Sequence, residues 1–265
     1  MLHSSLAAAA TLVALAFSCS TFDRWLARTD RNGRRHELVW SISLLMFAIA
    51  SGALWWGAAA GWDEASFRVF FLFGAILNVP YLALGTIYLL AGRRAGDITT
   101  AIVTALSCFA AGIMTIAPFK GPVGDAELPK GSEVFGVWPR VLAAVGSGVA
   151  ALVVIGGALW SAWRLARGRA RSKATADRVI PVPGRLVAGN VLIAIGTLIL
   201  GASGTLNARF GAMDAFSITL VAGITVLFAG FLVATTAGSA AATSTQPPRE
   251  SPQRSAHHLA GGAAR

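Results

Sequence analysis

Ionisable side chains are scarce in this sequence, and their absence from the long apolar runs is its most informative feature. Charged residues make up 13% of the chain, and no Asp, Glu, Lys, Arg or His lies near the middle of any predicted membrane span. Ionisable residues at such depths usually mark proton relays, ion paths or voltage sensors. Their absence argues against a proton-coupled pump, a carboxylate-lined cation channel and a carrier of strongly charged substrates.

Lysine, histidine and cysteine are also few, which argues against several cofactor chemistries. The only lysines, Lys120, Lys130 and Lys173, fall in predicted loops, so no intramembrane amine is available for a retinal Schiff base. None of the four histidines lies deep in a span, as paired haem ligands would. Cys19 and Cys108 form no CxxC motif, and we expect them to be small packing residues. We therefore predict no metal and no cofactor.

Apolar runs fill most of the chain. Hydrophobic residues make up 55% of the 265 positions, which is too high for an ordinary soluble domain. A run of about 20 apolar residues allows an α-helix to cross a hydrocarbon core roughly 30 Å thick, and seven such runs are present. The predicted spans are Leu2–Phe22, Leu38–Ala60, Ser66–Ala91, Ile98–Pro118, Val141–Trp163, Leu186–Leu206 and Ala215–Ala237. The sequence thus predicts an all-α polytopic bundle, followed by a disordered tail over 238–265.

Basic residues are distributed unevenly between the two sides of this arrangement. The loops on one side together with the tail hold 17 Lys and Arg, and the loops on the other side hold 5. The positive-inside rule places the first set in the cytoplasm, so the N-terminus is predicted outside and the C-terminus inside. A cleavable signal peptide is the disfavoured alternative for the first run, because its basic residues follow the run rather than precede it. We predict a multi-pass protein of the cell (plasma) membrane, with membrane lipids and no nucleic acid as partners.

The third predicted span carries the sequence Asn78-Val79-Pro80-Tyr81 close to the bilayer midplane. Pro80 cannot donate a hydrogen bond to the carbonyl of Ile76, which leaves an acceptor unpaired in the helix. Some transporters build substrate sites at such interruptions, where freed backbone groups and a neighbouring amide bind a polar ligand. The alternative is a proline kink whose carbonyl and Asn78 are satisfied by neighbouring helices. Asn78, Pro80 and Tyr81 are therefore ligand-site candidates.

Tyr88 lies seven residues after Tyr81, on the same helix face, and extends this candidate set. Asn190, near the cytoplasmic start of the sixth span, could line the same cavity, although amides and hydroxyls also hold helices together. Outside the membrane, Glu64 and Asp214 are weak candidates for acid/base catalysis on a lipid, under a long external loop that could fold as a lid. Hydrated ion pairs are the commoner role for such carboxylates.

Small residues recur in the later spans, at Gly146-Ser147-Gly148 and Gly156-Gly157 in the fifth span and at Gly196, Gly201 and Gly204 in the sixth. Small residues let helices approach closely, so these positions predict packing faces inside the bundle or between copies. The partner would then be a homo-oligomer or another membrane protein.

Several segments resemble a group of seven-span membrane proteins common in high-GC actinobacteria. The segments that carry the resemblance are Phe71-Leu72-Phe73-Gly74-Ala75 through Asn78-Val79-Pro80, Ala83-Leu84-Gly85-Thr86, the span Arg140–Ser161, and Leu186-Val187-Ala188-Gly189-Asn190 with Val221–Ala229. They cover about half of the chain. The resemblance implies the seven-span architecture, and no activity or catalytic residue comes with it.

Three functions remain open from the sequence. The first is a non-enzymatic protein that binds a neutral or lipid-like ligand or serves as a partner subunit, which the charge-free spans and glycine-rich faces favour. The second is a transporter of small neutral solutes that uses the interruption at Asn78 and Pro80. The third is a membrane-embedded enzyme acting on lipid or isoprenoid substrates, with outer carboxylates as proton donors, and we rank it last because it rests on fold-level analogy.

Overall fold

The fold comes from a computed structural model that describes residues 2–27, 35–121, 123, 128–174, 184–210 and 213–243. Within these ranges the chain is almost entirely helical. The elements are α1 (Leu2–Leu26), α2 (Arg35–Ala60), α3 (Glu64–Phe70), a π-helical segment (Phe71–Leu77), α4 (Asn78–Leu90), α5 (Gly92–Ile116), α6 (Gly131–Val134), α7 (Val137–Ala174), α8 (Gly184–Phe210) and α9 (Met213–Thr243). The helices α3 and α4 and the π segment between them form one continuous run, Glu64–Leu90.

Six helices in the described part of the chain are long and apolar enough to cross a membrane. They are Ser4–Leu26, Arg35–Ala60, Glu64–Leu90, Gly92–Ile116, Val137–Ser161 and Ala215–Val233. Each coincides with a predicted span, so the all-α fold and its apolar spanning helices are confirmed. The predicted span Leu186–Leu206 lies within α8, where the described apolar stretch, Val191–Ala202, is shorter. The seventh span therefore stays a prediction.

Helix ends depart from the predicted spans at two places. The helix α7 continues to Ala174, well into the basic segment predicted as a loop after Trp163. Likewise α9 continues to Thr243, so the first residues of the predicted disordered tail are helical, while residues 244–265 lie outside the described ranges. Hydropathy marks where a chain leaves the bilayer, but a helix of Ala, Arg and Lys persists in water because these residues have high helix propensity.

Six of the helices pack side by side in a closed ring, in the order α1, α2, α4, α7, α8 and α9, with α9 against α1. Its interior is filled by large side chains. Trp40 of α2 stacks on Phe231 of α9 with ring centroids 4.4 Å apart, and Phe17 of α1 stacks on Phe228. Val154 of α7 is fully buried in the same cluster. The core of the bundle is thus apolar and aromatic.

The helix α5 lies outside this ring and packs chiefly on α4. Its outer face carries exposed apolar side chains, with Ile102 61% exposed and Ile116 78% exposed. On α7, Leu152 is 72% exposed in the same way. Contiguous apolar surface of this kind is unfavourable in water and matches a hydrocarbon solvent. Cys19 and Cys108 are also exposed, so the expectation that they pack inside the bundle is wrong.

The predicted glycine faces divide into packed and open positions. A Cβ at Gly196 would lie 2.6 Å from the backbone nitrogen of Leu227, so α8 and α9 approach through their backbones there. By contrast, a Cβ at Gly148, Gly156 or Gly201 would meet nothing within 4 Å among the described residues. The packing prediction is correct for Gly196 and wrong for these three positions within the bundle.

Candidate functional site

The interruption predicted at Pro80 takes the form of a wide helical turn rather than a break. Residues Phe71–Leu77 are π-helical, and the backbone N–H of Asn78 donates to the carbonyl of Phe73, five residues back. A proline in an α-helix removes one hydrogen bond and its ring collides with the carbonyl four residues earlier, here that of Ile76. The additional residue in the turn accommodates the ring while the helix stays continuous. Turns of this kind occur frequently at functional sites.

The helix α7 covers one side of this wide turn. The hydroxyl of Ser147 donates to the carbonyl of Ala75, a group that the changed hydrogen-bond register leaves available. The carbonyl oxygen of Ile76 lies 3.7 Å from the point where a Cβ of Gly146 would stand, so α7 comes close to it as well. Pro80 is buried. On this side the neighbouring helix pairs with the Ala75 carbonyl, whereas the alternative interpretation concerned the carbonyl of Ile76.

Asn78 occupies the other side of the turn, facing α2. The hydroxyl of Ser43 lies 2.8 Å from Asn78 Oδ1 and 3.0 Å from the Asn78 carbonyl oxygen, and its one proton is shared between these two acceptors. The side-chain amide nitrogen of Asn78 has no acceptor among the described residues. The same nitrogen is not fully buried, since it is absent from the buried side-chain atoms that lack a hydrogen-bond partner. The amide N–H groups are therefore both available and reachable.

Tyr81 lies one turn further along α4, on the same face as Asn78, and is partly exposed. Ser107 of α5 donates its one proton to the carbonyl of Val103 over 2.7 Å, and its oxygen lies 3.4 Å from the Tyr81 hydroxyl oxygen. The Ser107 oxygen, with its proton given to Val103, is therefore an acceptor 3.4 Å from the Tyr81 hydroxyl. The structure brings Asn78, Pro80 and Tyr81 together, and we call Ser43, Asn78, Tyr81 and Ser107 the amide site.

Tyr88 belongs to a separate polar cluster at the other end of α4. Its hydroxyl donates to Asp97 Oδ1 over 2.7 Å and lies 2.8 Å from the hydroxyl of Thr100. Arg35 Nη1 lies 2.7 Å from the same carboxylate oxygen.

An apolar cluster separates Tyr88 from the amide site. This cluster is formed by Val39, Leu84 and Val103, and both tyrosine rings pack against it. Both tyrosine hydroxyls face hydroxyls of α5, Tyr81 at Ser107 and Tyr88 at Thr100, so a common polar stripe along α4 stays a prediction. Asn190 lies on α8, but its side chain is outside the described residues.

The weak catalytic candidates lie at the end of the bundle that holds the α2–α3 turn. The Glu64 side chain is 68% exposed, and its carboxylate lies 3.9 Å from Arg68 Nη2. Arg68 in turn donates to the carbonyls of Met114 and Ala117 at the end of α5. Asp214 lies on α9, and its side chain is outside the described residues. No catalytic arrangement around Glu64 is present in the described part.

The loop between α5 and α7 is folded onto this same end of the bundle. Phe119 and Phe135 form an antiparallel backbone bridge, and the N–H of Lys120 donates to the carbonyl of Val134 over 2.9 Å. Phe135 is 1% exposed and packs on Phe67, with ring centroids 5.4 Å apart. The lid expected from the sequence is ordered over its described residues, while residues 122 and 124–127 lie outside them.

Three polar residues of consequence were missed in the sequence. Ser43 and Ser147 hold the two sides of the wide turn, and as short hydroxyls in apolar runs they could have been singled out as partners for a proline-interrupted neighbour. Glu37 was assigned to a loop, yet it is 2% exposed in the first turn of α2. It lies at a helix end, so among the described residues the middle of the spans remains free of buried charge.

No protein-family model, no curated protein and no solved structure matches this chain. Its function therefore has to be argued from the amide site itself.

Proposed function

We propose that the chain is a seven-span protein of the cell membrane that binds a neutral or lipid-like ligand at the amide site, without catalysing a reaction. The observation that carries the proposal is the Asn78 side chain, whose N–H groups lack an acceptor in the described part of the chain and remain reachable. An unmade hydrogen bond in hydrocarbon costs several kcal/mol, so a group that supplies an acceptor is strongly favoured there.

The depth of the site supports a ligand that dissolves in the bilayer. Asn78 lies near the middle of the 27-residue helix Glu64–Leu90. Asp97 and Glu37 lie towards one end of the bundle and Arg68 towards the other. A ligand with a net charge would have no counter-charge at the level of Asn78 and would bear the full desolvation penalty. A neutral head group on an apolar body suits both the site and its surroundings.

The seven-span topology rests on the length of α8 and on the placement of basic residues. The helix α8 has 27 residues, which at 1.5 Å per residue is about 40 Å and sufficient to cross a bilayer. Counting it as a span gives the 17-to-5 distribution of Lys and Arg that favours an outside N-terminus and a cytoplasmic C-terminus. In this orientation the folded loop around Phe135 covers the outer end.

Native mass spectrometry after gentle extraction tests the proposal. We expect the wild-type chain to retain a neutral molecule. Asn78→Ala should lower the affinity for that molecule at least about tenfold, because one or two hydrogen bonds disappear. Thr104→Ala is the matched control, since Thr104 is an exposed polar residue of α5 outside the amide site. A folded wild-type protein that retains nothing, or equal retention by Asn78→Ala, would overturn the proposal.

A transporter of small neutral solutes is the second candidate, and the π-helical turn at mid-span favours it. A change between π and α hydrogen bonding would shift the register of α4 relative to α3. Such a shift would expose the amide site to the two sides of the membrane in turn. Reconstituted protein should then take up a neutral solute, and both Asn78→Ala and Pro80→Ala should abolish uptake while still inserting. Unchanged uptake in both variants removes this candidate.

A further inference from the structure

The helix α7 is longer than a membrane span, and its excess length is basic. Its apolar stretch covers Val137–Ser161, whereas the helix continues to Ala174, about 20 Å further along its axis. The residues after Ser161 include five arginines and lysines, and no Asp or Glu occurs anywhere in α7. The helix therefore leaves the hydrocarbon with positive charge and no acidic residue of its own to balance it.

Two of these arginines share one face of α7 with two tryptophans. Trp160, Trp163, Arg164 and Arg167 have the spacing of neighbours on a helix surface, and all four side chains are exposed. The two indole rings lie 5.3 Å apart between centroids. The guanidinium carbon of Arg167 lies 3.7 Å from the centroid of the Trp163 ring, in a cation–π contact. We call these four residues the interfacial arginine site.

The depth of the two guanidinium groups matches that of lipid phosphates. Arg164 lies three residues past Ser161, which is about 4.5 Å along the helix axis. Arg167 lies about 9 Å past Ser161, but its side chain turns back along the helix to the level of Trp163. The head-group layer on each side of a bilayer is roughly 5–7 Å thick. Both positive charges therefore lie within that layer.

Hydrogen-bond donors remain available on both arginines. A guanidinium carries five N–H groups in a planar fork that fits a phosphate with two parallel hydrogen bonds. Neither Arg164 nor Arg167 forms an ion pair with another described residue. The contact with Trp163 uses the flat face of the Arg167 guanidinium and leaves its edge, where the N–H groups point, open. The ring thus orients a donor group without consuming its donors.

We propose that the interfacial arginine site binds the head-group phosphate of an anionic phospholipid. In the proposed orientation this end of α7 lies at the cytoplasmic leaflet, whose surface is negatively charged. A zwitterionic head group presents the same phosphate beside its own cation, so it balances less of the positive charge. The positive-inside rule requires only that basic residues lie on this side, and it explains neither their depth nor the stacking of Arg167. The inference uses no residue of the amide site.

The experiment offers the full chain, in an uncharged detergent, equal amounts of phosphatidylglycerol and phosphatidylcholine, and native mass spectrometry counts the lipids retained. We expect the wild type to prefer phosphatidylglycerol. Arg164→Gln/Arg167→Gln should lower that preference by about fivefold for each arginine. Arg169→Gln/Arg171→Gln is the matched control, since it removes the same charge from backbone positions about 12 and 15 Å past Ser161, beyond the head groups. It should retain most of the preference.

A second variant keeps the test valid if the loss of two charges prevents insertion. Trp163→Leu retains both arginines, and with them the charge that sets topology, but removes the ring under Arg167. It should lower the preference for phosphatidylglycerol by about two- to fivefold, the range of one cation–π contact.

Three results would each overturn the inference. They are equal retention of the two lipids by the wild type, an unchanged preference in Arg164→Gln/Arg167→Gln or in Trp163→Leu, and an equal loss in Arg169→Gln/Arg171→Gln. The first two would leave the arginines with a topological role alone, and the third would assign the effect to the diffuse charge of the helix. The proposed binding function stands or falls separately, on the retention of a neutral molecule and its loss in Asn78→Ala.

Discussion

Arg68 joins two spans at the loop end of the bundle, and its removal gives the sharpest stability prediction. Its guanidinium, on α3, donates to the carbonyls of Met114 and Ala117 at the C-terminal end of α5. It also lies over the Phe119 ring, 4.5 Å from the centroid. The last carbonyls of a helix have no partner within the helix, so an arginine fork that reaches them satisfies groups that would otherwise stay unpaired.

The size of the effect follows from these contacts. Hydrogen bonds that involve a charged group contribute about 1.5–3 kcal/mol each, and an exposed cation–π contact adds about 0.5–1 kcal/mol. The Arg68 side chain is 23% exposed, which places its contributions at the lower end. We therefore expect Arg68→Ala to lower the free energy of unfolding by about 3 kcal/mol, which is a change of roughly a hundredfold in the unfolding equilibrium constant. Arg68→Lys should recover less than half, because an ammonium lacks the planar fork.

The measurement is reversible unfolding of the purified protein in mixed micelles, followed by circular dichroism. Arg140→Ala is the matched control, since Arg140 is an exposed arginine on α7 with no hydrogen bond or ion pair to other described residues. A loss below about 0.5 kcal/mol in Arg68→Ala, the usual range for surface changes, would refute the reasoning. Equal losses in the two variants would refute it as well.

Two further predictions concern helix packing and pH. Gly196→Ala should destabilise the bundle by about 1–3 kcal/mol in the same assay, because the added Cβ would lie 2.6 Å from Leu227. Gly201→Ala is the control and should not destabilise it, since a Cβ there meets nothing within 4 Å among the described residues. Equal effects of the two substitutions would contradict the packing of α8 on α9. The backbone N–H of Ser66 holds the pKa of the Asp63 carboxyl below its ordinary value of 3.8. The contribution of the Asp63 cap to the free energy of unfolding is therefore complete above pH 3.8 and is lost as the pH falls through the lowered pKa. Asp63→Asn should remove this acid-dependent part of the thermal stability, and an unchanged pH profile would contradict the cap.

The positions of the apolar spans can be predicted well from the sequence, because one physical requirement determines their conformation. A backbone in hydrocarbon must satisfy its own hydrogen bonds, so a long apolar run becomes a helix whatever its neighbours are. The six apolar helices confirm this for the described residues. Helix ends were less accurate, as with Ala174 at the end of α7, because hydropathy reports the solvent of a residue and not its backbone conformation.

The site was predictable in position but not in chemistry. Pro80 predicts an interruption of the helical hydrogen bonds, since the lack of a backbone N–H follows from the residue type alone. Whether the freed groups are used depends on which helices come alongside, and apolar spans give little indication of their neighbours. Ser147 on α7 and Ser43 on α2 therefore had to be found in the structure, and so did the lack of an acceptor for the Asn78 amide nitrogen among the described residues.

The ring of helices described above also constrains the order of biosynthesis. Its closing contacts join α1 and α2 to α9, through Phe17 on Phe228 and Trp40 on Phe231. A ribosome delivers α9 only after every other span has left the tunnel, so α1 and α2 must wait in the bilayer with these aromatic faces turned to lipid or to a chaperone. Closure of the ring therefore depends on its most distant element in the sequence, and a chain without α9 would leave these aromatic faces uncovered.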